Sequence, residues 1–173
     1  MSRTVAPDSP LGRYQAGVVA GTWQDDAHQR KALAELTRVD EELRNHRPPG
    51  LWQRLVRRGR PAPAVRGLYL HGGVGRGKTF VMDLFYDGLP FDNKQRLHFH
   101  RFMGRVHADL AQMKDQEDPL ALVAEHFAER ARVLCFDEFF VSDIGDAMLL
   151  GRLLEHLFAR GVTLVATSNV EPK

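Results

Sequence analysis

The sequence predicts an α/β fold in which a parallel sheet is covered by crossover helices, and three observations carry that prediction. Four short apolar runs recur from Gly67 onward, each bounded by polar or turn-forming residues. Between them lie longer stretches whose apolar residues fall three or four apart, the spacing of helices that bury one face. A glycine-rich octapeptide also sits between the first run and the first of those helices.

The first expected element is a helix over residues 24–46. Its apolar positions Leu33, Leu36, Val39 and Leu43 share one face, Thr22 or Asp25 can cap its start, and Pro48-Pro49-Gly50 stops it. A short basic helix is expected at Leu51 to Arg58. The stiff, donor-poor Pro61-Ala62-Pro63 reads as a linker and sets a boundary near residue 64. Residues 1–64 then form a helical N-terminal segment with a basic stretch, and residues 65–173 form the α/β core. Within that core the expected strands are Leu68 to His71, Leu97 to Phe102, Val133 to Phe136 and Val162 to Thr167. The expected helices lie at about 78–87, 102–114, 119–131 and 143–159. Gly88 and Pro90 close the first of these, Asp118-Pro119 opens the third, and Ser142 caps the fourth, which Gly161 ends.

Composition supports one ordinary folded unit. The chain has 173 residues, 43% of them hydrophobic, with 24 basic and 22 acidic side chains and a net charge of +2, which excludes a disordered tail or a collagen-like chain. A single cysteine, Cys135, excludes an internal disulfide, and no apolar run approaches the roughly 18 residues of a membrane span. Met1 to Leu11 has no signal-peptide core, so a cytoplasmic location is expected.

The octapeptide Gly72-Gly73-Val74-Gly75-Arg76-Gly77-Lys78-Thr79 matches G-x-x-x-x-G-K-[ST] in the strand-to-helix setting that a phosphate-binding loop requires. Glycines let backbone N–H groups close around phosphate oxygens, and the following helix offers its positive end to the same anion. Lys78 is expected on the β- and γ-phosphates and the Thr79 hydroxyl on Mg²⁺, while Arg76 reads as solvent-facing. A second feature is Val133-Leu134-Cys135-Phe136-Asp137-Glu138, an apolar strand ending in two acids at the sheet edge where ligands of open α/β folds bind. Asp137 is the expected Mg²⁺-side acid, and Glu138 is placed to orient and polarise an attacking water. The bland alternative is two solvated loop acids. The last strand ends in Ser168-Asn169, where Asn169 is either a turn residue or a contact to the γ-phosphate or the water.

Four stretches resemble the ZapE-type family of AAA+ ATPases and the related mitochondrial AFG-like ATPases: Gly67 to Thr79, Leu97 to Met103, Val133 to Asp143 and Leu164 to Asn169. The likeness runs from about Tyr14 and includes the spacing Asp25, Gln29, Ala32. It implies a P-loop NTPase sheet ordered 5-1-4-3-2, with Walker A at residues 72–79, Walker B at Asp137 and Glu138, and Asn169 as the sensor-1 residue. It also implies ATP and Mg²⁺ as cofactors and an ATP-driven remodelling role. Bacterial members of the family engage the division protein FtsZ, and mitochondrial members assist turnover of respiratory subunits. On that pattern the chain stops after the sensor-1 strand, so a fifth strand, a trans-acting arginine and a helical lid are absent, and the first strand is left with an unpaired edge. Homo-oligomerisation belongs to the full-length form, and the 173-residue chain is expected to bind ATP weakly and hydrolyse it poorly.

Other features read as structural. His98 and His100 are expected on one face of a strand, with His107 on the next helix, as packing or hydrogen-bonding histidines without the register of a metal site. Cys135 reads as a small buried hydrophobe, and Asp143 and Asp146 as first-turn acids favoured by the helix dipole. Residues 43–82 hold nine basic side chains and no acid. Nucleic acid, an anionic membrane surface or an acidic tail are the partners such a stretch can meet, but only Trp52 and Tyr69 offer rings for base stacking, which favours a solvated basic face. Gln29 is a candidate adenine contact. The leading function is thus an ATP hydrolase that remodels a protein partner. The alternatives are a helicase-loader-like ATPase holding single strands, a small-molecule kinase, and a catalytically silent binding chain.

Overall fold

A computed structural model of the protein describes residues 4–45, 65–72 and 77–169. The basic helix at 51–58, the linker at 61–63 and the boundary at 64 lie outside them.

Among the described residues ten elements follow in order: α1 (Pro10–Val19), α2 (Ala27–Asn45), β1 (Leu68–His71), α3 (Lys78–Gly88), β2 (Lys94–His98), α4 (Phe99–Gln112), α5 (Pro119–Arg130), β3 (Val133–Asp137), α6 (Ile144–Ala159) and β4 (Thr163–Ser168). The four strands form one parallel sheet ordered β1-β4-β3-β2. This is the expected α/β fold, with β1 at one edge of the described sheet. Gly67 lets the chain enter β1 against β4, because a side chain there would collide with the Leu164 carbonyl.

Helices cover both faces. β3 sits inside, and its alternating residues divide two cores. Leu134 and Phe136 point to a core with α4, α5 and α6, built on Phe99, Phe102, Phe127 and Leu153. Val133 and Cys135 point to a second core with α1, α2 and α3, built on Tyr14, Leu36, Met82 and Phe85. The N-terminal helices thus share a core with the sheet.

Three local expectations are corrected. The first predicted helix begins after Asp26, whose carboxylate accepts from His28 N at 2.8 Å and Gln29 N at 3.1 Å; neither Thr22 nor Asp25 is the cap. Ahead of it lies α1, which the periodicity did not reveal; Ser9 caps it by accepting from Gly12 N at 3.1 Å, and Pro10 opens its first turn. At the start of α6, Asp143 and not Ser142 is the cap, accepting from Asp146 N at 3.0 Å.

The largest shift is in β2, which runs over Lys94–His98 and not Leu97 to Phe102. Leu97 and Phe99 mimic strand alternation, but Phe99, Phe102, Met103 and Val106 are all buried at helical spacing, so the chain turns directly from β2 into α4. His98 therefore ends the strand while His100 lies on the helix, and the expected shared strand face does not exist. Lys94, Gln95 and Arg96 lie on β2, an edge strand of the described sheet.

Candidate active site

Gly77 caps α3 at φ 70°, a left-handed conformation that glycine adopts without strain, and makes no side-chain cap to that helix end. A Cβ at Gly77 would also collide with the Gln29 side-chain amide, so α2 lies directly over the start of the helix. The positive end of α3 therefore lies beside the Gln29 amide and is the kind of helix terminus that favours an anion. Of the predicted phosphate loop, Gly72, Gly77, Lys78 and Thr79 are among the described residues; Gly73, Val74, Gly75 and Arg76 lie outside them.

Lys78 reaches across the carboxyl edge of the sheet. Its Nζ donates to the Gly72 carbonyl and, at 2.5 Å, to Asn169 Oδ1, a residue 91 positions away. Asn169 is delivered there by β4, whose end is stitched to both neighbours. Gly72 N donates to the Ser168 carbonyl at 3.2 Å, and Phe139 N donates to the Thr167 carbonyl at 2.8 Å. Ser168 Oγ closes the second junction by donating to the Phe139 carbonyl at 2.6 Å. The same stitching fixes the turn after β3, where Glu138 adopts φ 54°, among the described residues the one non-glycine with a positive φ. Such a backbone costs of the order of 1–3 kcal/mol and persists where the surroundings impose it. The outcome is that the Glu138 side chain projects into solvent above the sheet edge, 70% exposed.

Asp137 is held differently. Arg96 Nε donates to Oδ2 at 2.7 Å and Nη2 to Oδ1 at 3.1 Å, while Nη1 pairs with Asp83 on α3. Burial works against the Arg96 charge, but the hydrogen bonds to Asp137 and Asp83 outweigh it and raise its pKa above the ordinary arginine value. Neither Arg96 nor Asp83 was singled out from sequence. The only signal was an arginine inside a short polar run before Leu97, and the β2–β3 register that sets Arg96 beside Cys135, two residues short of Asp137, is non-local. His98, read as a packing or hydrogen-bonding residue, stands beside the site, with Nδ1 3.7 Å from Glu138 Oε2. His107 pairs with Asp146 at 2.8 Å on the opposite helical layer.

A cavity of about 440 Å³ opens between α2 and β1 and ends at the phosphate loop. Gln29 and Ala32 form one wall, Tyr69 and His71 the other, and Gly72 and Lys78 the floor. That volume lies within the roughly 300–1,000 Å³ typical of small-molecule sites. The residues fit a nucleotide: a helix N-terminus and a lysine for phosphates, and an adjoining cavity with polar and aromatic walls. They fit Mg²⁺ as well, since Thr79 and Asp137 offer the few oxygen ligands that this ion takes from protein when phosphates supply others.

The family model described as "AFG1-like ATPase" matches residues 8–173. The chain is 51% identical over 174 aligned residues to the cell division protein ZapE of Escherichia coli K12, covering 95% of this chain and 46% of that one. It is 34% identical to an uncharacterized protein of Schizosaccharomyces pombe, covering 98% of this chain and 44% of that one. The chain thus spans about half the length of the curated relatives it matches. Among solved structures, the crystal structure of the DnaC helicase loader superposes with a TM-score of 0.55 at 15% identity, covering 93% of this chain and 81% of that one. At that identity the likeness shows the fold alone.

Proposed function

Since the chain belongs to the AFG1-like ATPase family, we propose that it binds ATP with Mg²⁺ at the carboxyl edge of its sheet and hydrolyses the terminal phosphate. One observation carries this reading: Lys78 and Asn169, 91 positions apart in the chain but following the paired strands β1 and β4, meet at 2.5 Å at the start of α3.

The roles follow from position. Lys78 and the first-turn amides of α3 bind phosphate, together with the loop residues Gly72 to Gly77. Thr79 and Asp137 would hold Mg²⁺, which when bound offsets charge on the phosphate oxygens. Glu138, exposed at the edge and free of the Arg96 fork, accepts a hydrogen bond from the attacking water and aims it. Asn169, already paired to Lys78, contacts the γ-phosphate or that water. Gln29 and Ala32 of α2 form the cavity wall next to Lys78, where Gln29 contacts the nucleotide. We assign residues 65–173 as the nucleotide-binding core and residues 1–64 as the N-terminal segment whose described helices α1 and α2 pack against it.

The work done by hydrolysis is, in this reading, remodelling of a protein partner in cell division by a cytoplasmic homo-oligomer. Support comes from the name of the E. coli relative, a cell division protein, and the family resemblance puts forward FtsZ as the partner. No helix among the described residues is long and apolar enough to cross a membrane. The helicase-loader alternative has only a fold likeness behind it.

Glu138→Gln tests the chemistry. Turnover should fall by about 10²–10⁴-fold, the contribution of a positioned proton acceptor, while ATP affinity stays near wild type. Steady-state phosphate release and calorimetric nucleotide binding read the two quantities. Equal loss of both would make the acid structural and overturn its role.

A further inference from the structure

We infer that Arg96 is a positioning residue for the cation site, a latch that grips the Asp137 carboxylate and shares that grip with Asp83 on the phosphate-binding helix. This rests on the assignment of Asp137 to Mg²⁺ proposed above.

Arg96 and Asp137 are each only 18% exposed in their side chains, whereas Asp83 is 48% exposed. Two arms of the guanidinium engage both Asp137 oxygens and the remaining arm engages Asp83. A planar five-donor fork suits such sharing, which a lysine ammonium on one point charge would not reproduce. An ionised carboxylate has about four lone-pair sites, so Arg96 occupies roughly half of those on Asp137 and leaves the rest for a cation. The fork therefore has two effects of opposite sign. It aims the carboxylate by fixing its rotation, and it weakens the attraction for a cation by placing a positive charge against the same oxygens.

Asp83 sets the balance between them. It lies five residues after Lys78 on α3, the helix that meets the phosphates, and among the described residues its carboxylate is the one other partner that the fork holds. With Asp83 present, the guanidinium can lean away from Asp137 when a cation claims it. Without Asp83, Arg96 is left wholly on Asp137. Asp83 thus acts through Arg96, and the two substitutions must move cation affinity in opposite directions.

The test is Mn²⁺ binding to the 173-residue chain in the presence of ADP, read from the free-ion electron paramagnetic resonance signal. Coupled sites typically differ by about five-fold or more, so Arg96→Met should tighten Mn²⁺ about five-fold and Asp83→Asn weaken it about five-fold. In the Arg96→Met background, Asp83→Asn should have no further effect. An Asp83→Asn effect undiminished in that background would mean simple loss of negative charge and overturns the latch. So do singles that leave the Mn²⁺ affinity unmoved. If Arg96→Met does not fold, the half-exposed Asp83→Asn decides alone, and unchanged affinity there overturns the inference. Wild-type chain that binds ADP but no Mn²⁺ overturns the Asp137 assignment as well, which separates failure of the reading from failure of the latch.

Discussion

Cys135 shows at the residue scale how a side chain's chemistry is set by its surroundings. It lies in β3 between two helical layers, and burial pushes its thiol from an ordinary 9.0 up to about 12. Between those values the unfolded chain binds fewer protons than the folded one, so folding stability falls as pH rises through that window, by up to about 1.4 kcal/mol per pH unit. Cys135→Ala should therefore lose less stability than wild type between about pH 9 and pH 11, measured by urea unfolding. The thiol is thus the inert core residue that the apolar strand around it suggests. Gln29 is the residue-scale counterpart at the cavity. Its amide covers Gly77 and lines the space next to Lys78. Removing one hydrogen-bonding group of this kind costs about 1 kcal/mol, so Gln29→Ala should weaken ADP binding about five-fold by calorimetry. Unchanged affinity would remove Gln29 from the site.

Among the elements, α3 matters most, because it carries Lys78 and Thr79 at one end and is clamped at the other. Arg13 Nη2 donates to the Leu84 carbonyl, and Arg44 Nη2 donates to the Gly88 carbonyl at 3.1 Å. Positive side chains at a helix C-terminus satisfy its last carbonyls and complement its dipole. Arg44 also pairs with Asp8 at 2.8 Å and with Asp40 at 2.9 Å, so one guanidinium ties the entry to α1, the end of α2 and the end of α3. Asp40 is nearly fully buried; burial raises its pKa, and Arg44 acts in the opposite direction. Truncating Arg44 leaves that carboxylate unpaired, a loss of about 3–5 kcal/mol for a buried pair. We expect Arg44→Ala to lower unfolding free energy by about 3 kcal/mol in urea, with part of the loss recovered in Arg44→Ala/Asp40→Asn. A loss below about 1 kcal/mol would show that the clamp is a surface contact of little consequence.

Across the whole molecule, β3 is the shared wall of two cores, so neither face can be dismantled without exposing the other. Tyr14 is fully buried against Trp23 and Phe80 on one side, and Phe102 against Phe127 and Phe136 on the other. The N-terminal helices should therefore unfold together with the sheet. In a Trp52→Phe background, Trp23 fluorescence reports the α1 side and far-UV circular dichroism reports all elements; the two transitions should coincide. Phe102→Ala, on the opposite face, should lower both by the same amount, about 3–5 kcal/mol. A fluorescence midpoint that stays in place while the dichroism midpoint falls would make the N-terminal helices an independent unit.

Apart from Asn169, which only the family resemblance singled out over a turn residue, the sequence alone determined the α/β class, three of the four strands to within one residue at either end, and the Lys78, Asp137 and Glu138 candidates. These are written in local chemistry: helical or strand spacing, a glycine-rich turn between strand and helix, and acids that abruptly end an apolar run. Where two local signals overlapped, as at Leu97 to Phe102, burial in the α4 layer decided for the helix. Tertiary structure alone decided the Lys78–Asn169 contact, the Arg96 fork between Asp137 and Asp83, the place of Gln29 over Gly77, and the clamp of Arg44 on α3. Each joins side chains from different elements, and which of these meet is set by strand order, strand register and the packing of helices on the sheet. None of those is a property of neighbouring residues, so no spacing within one segment encodes them.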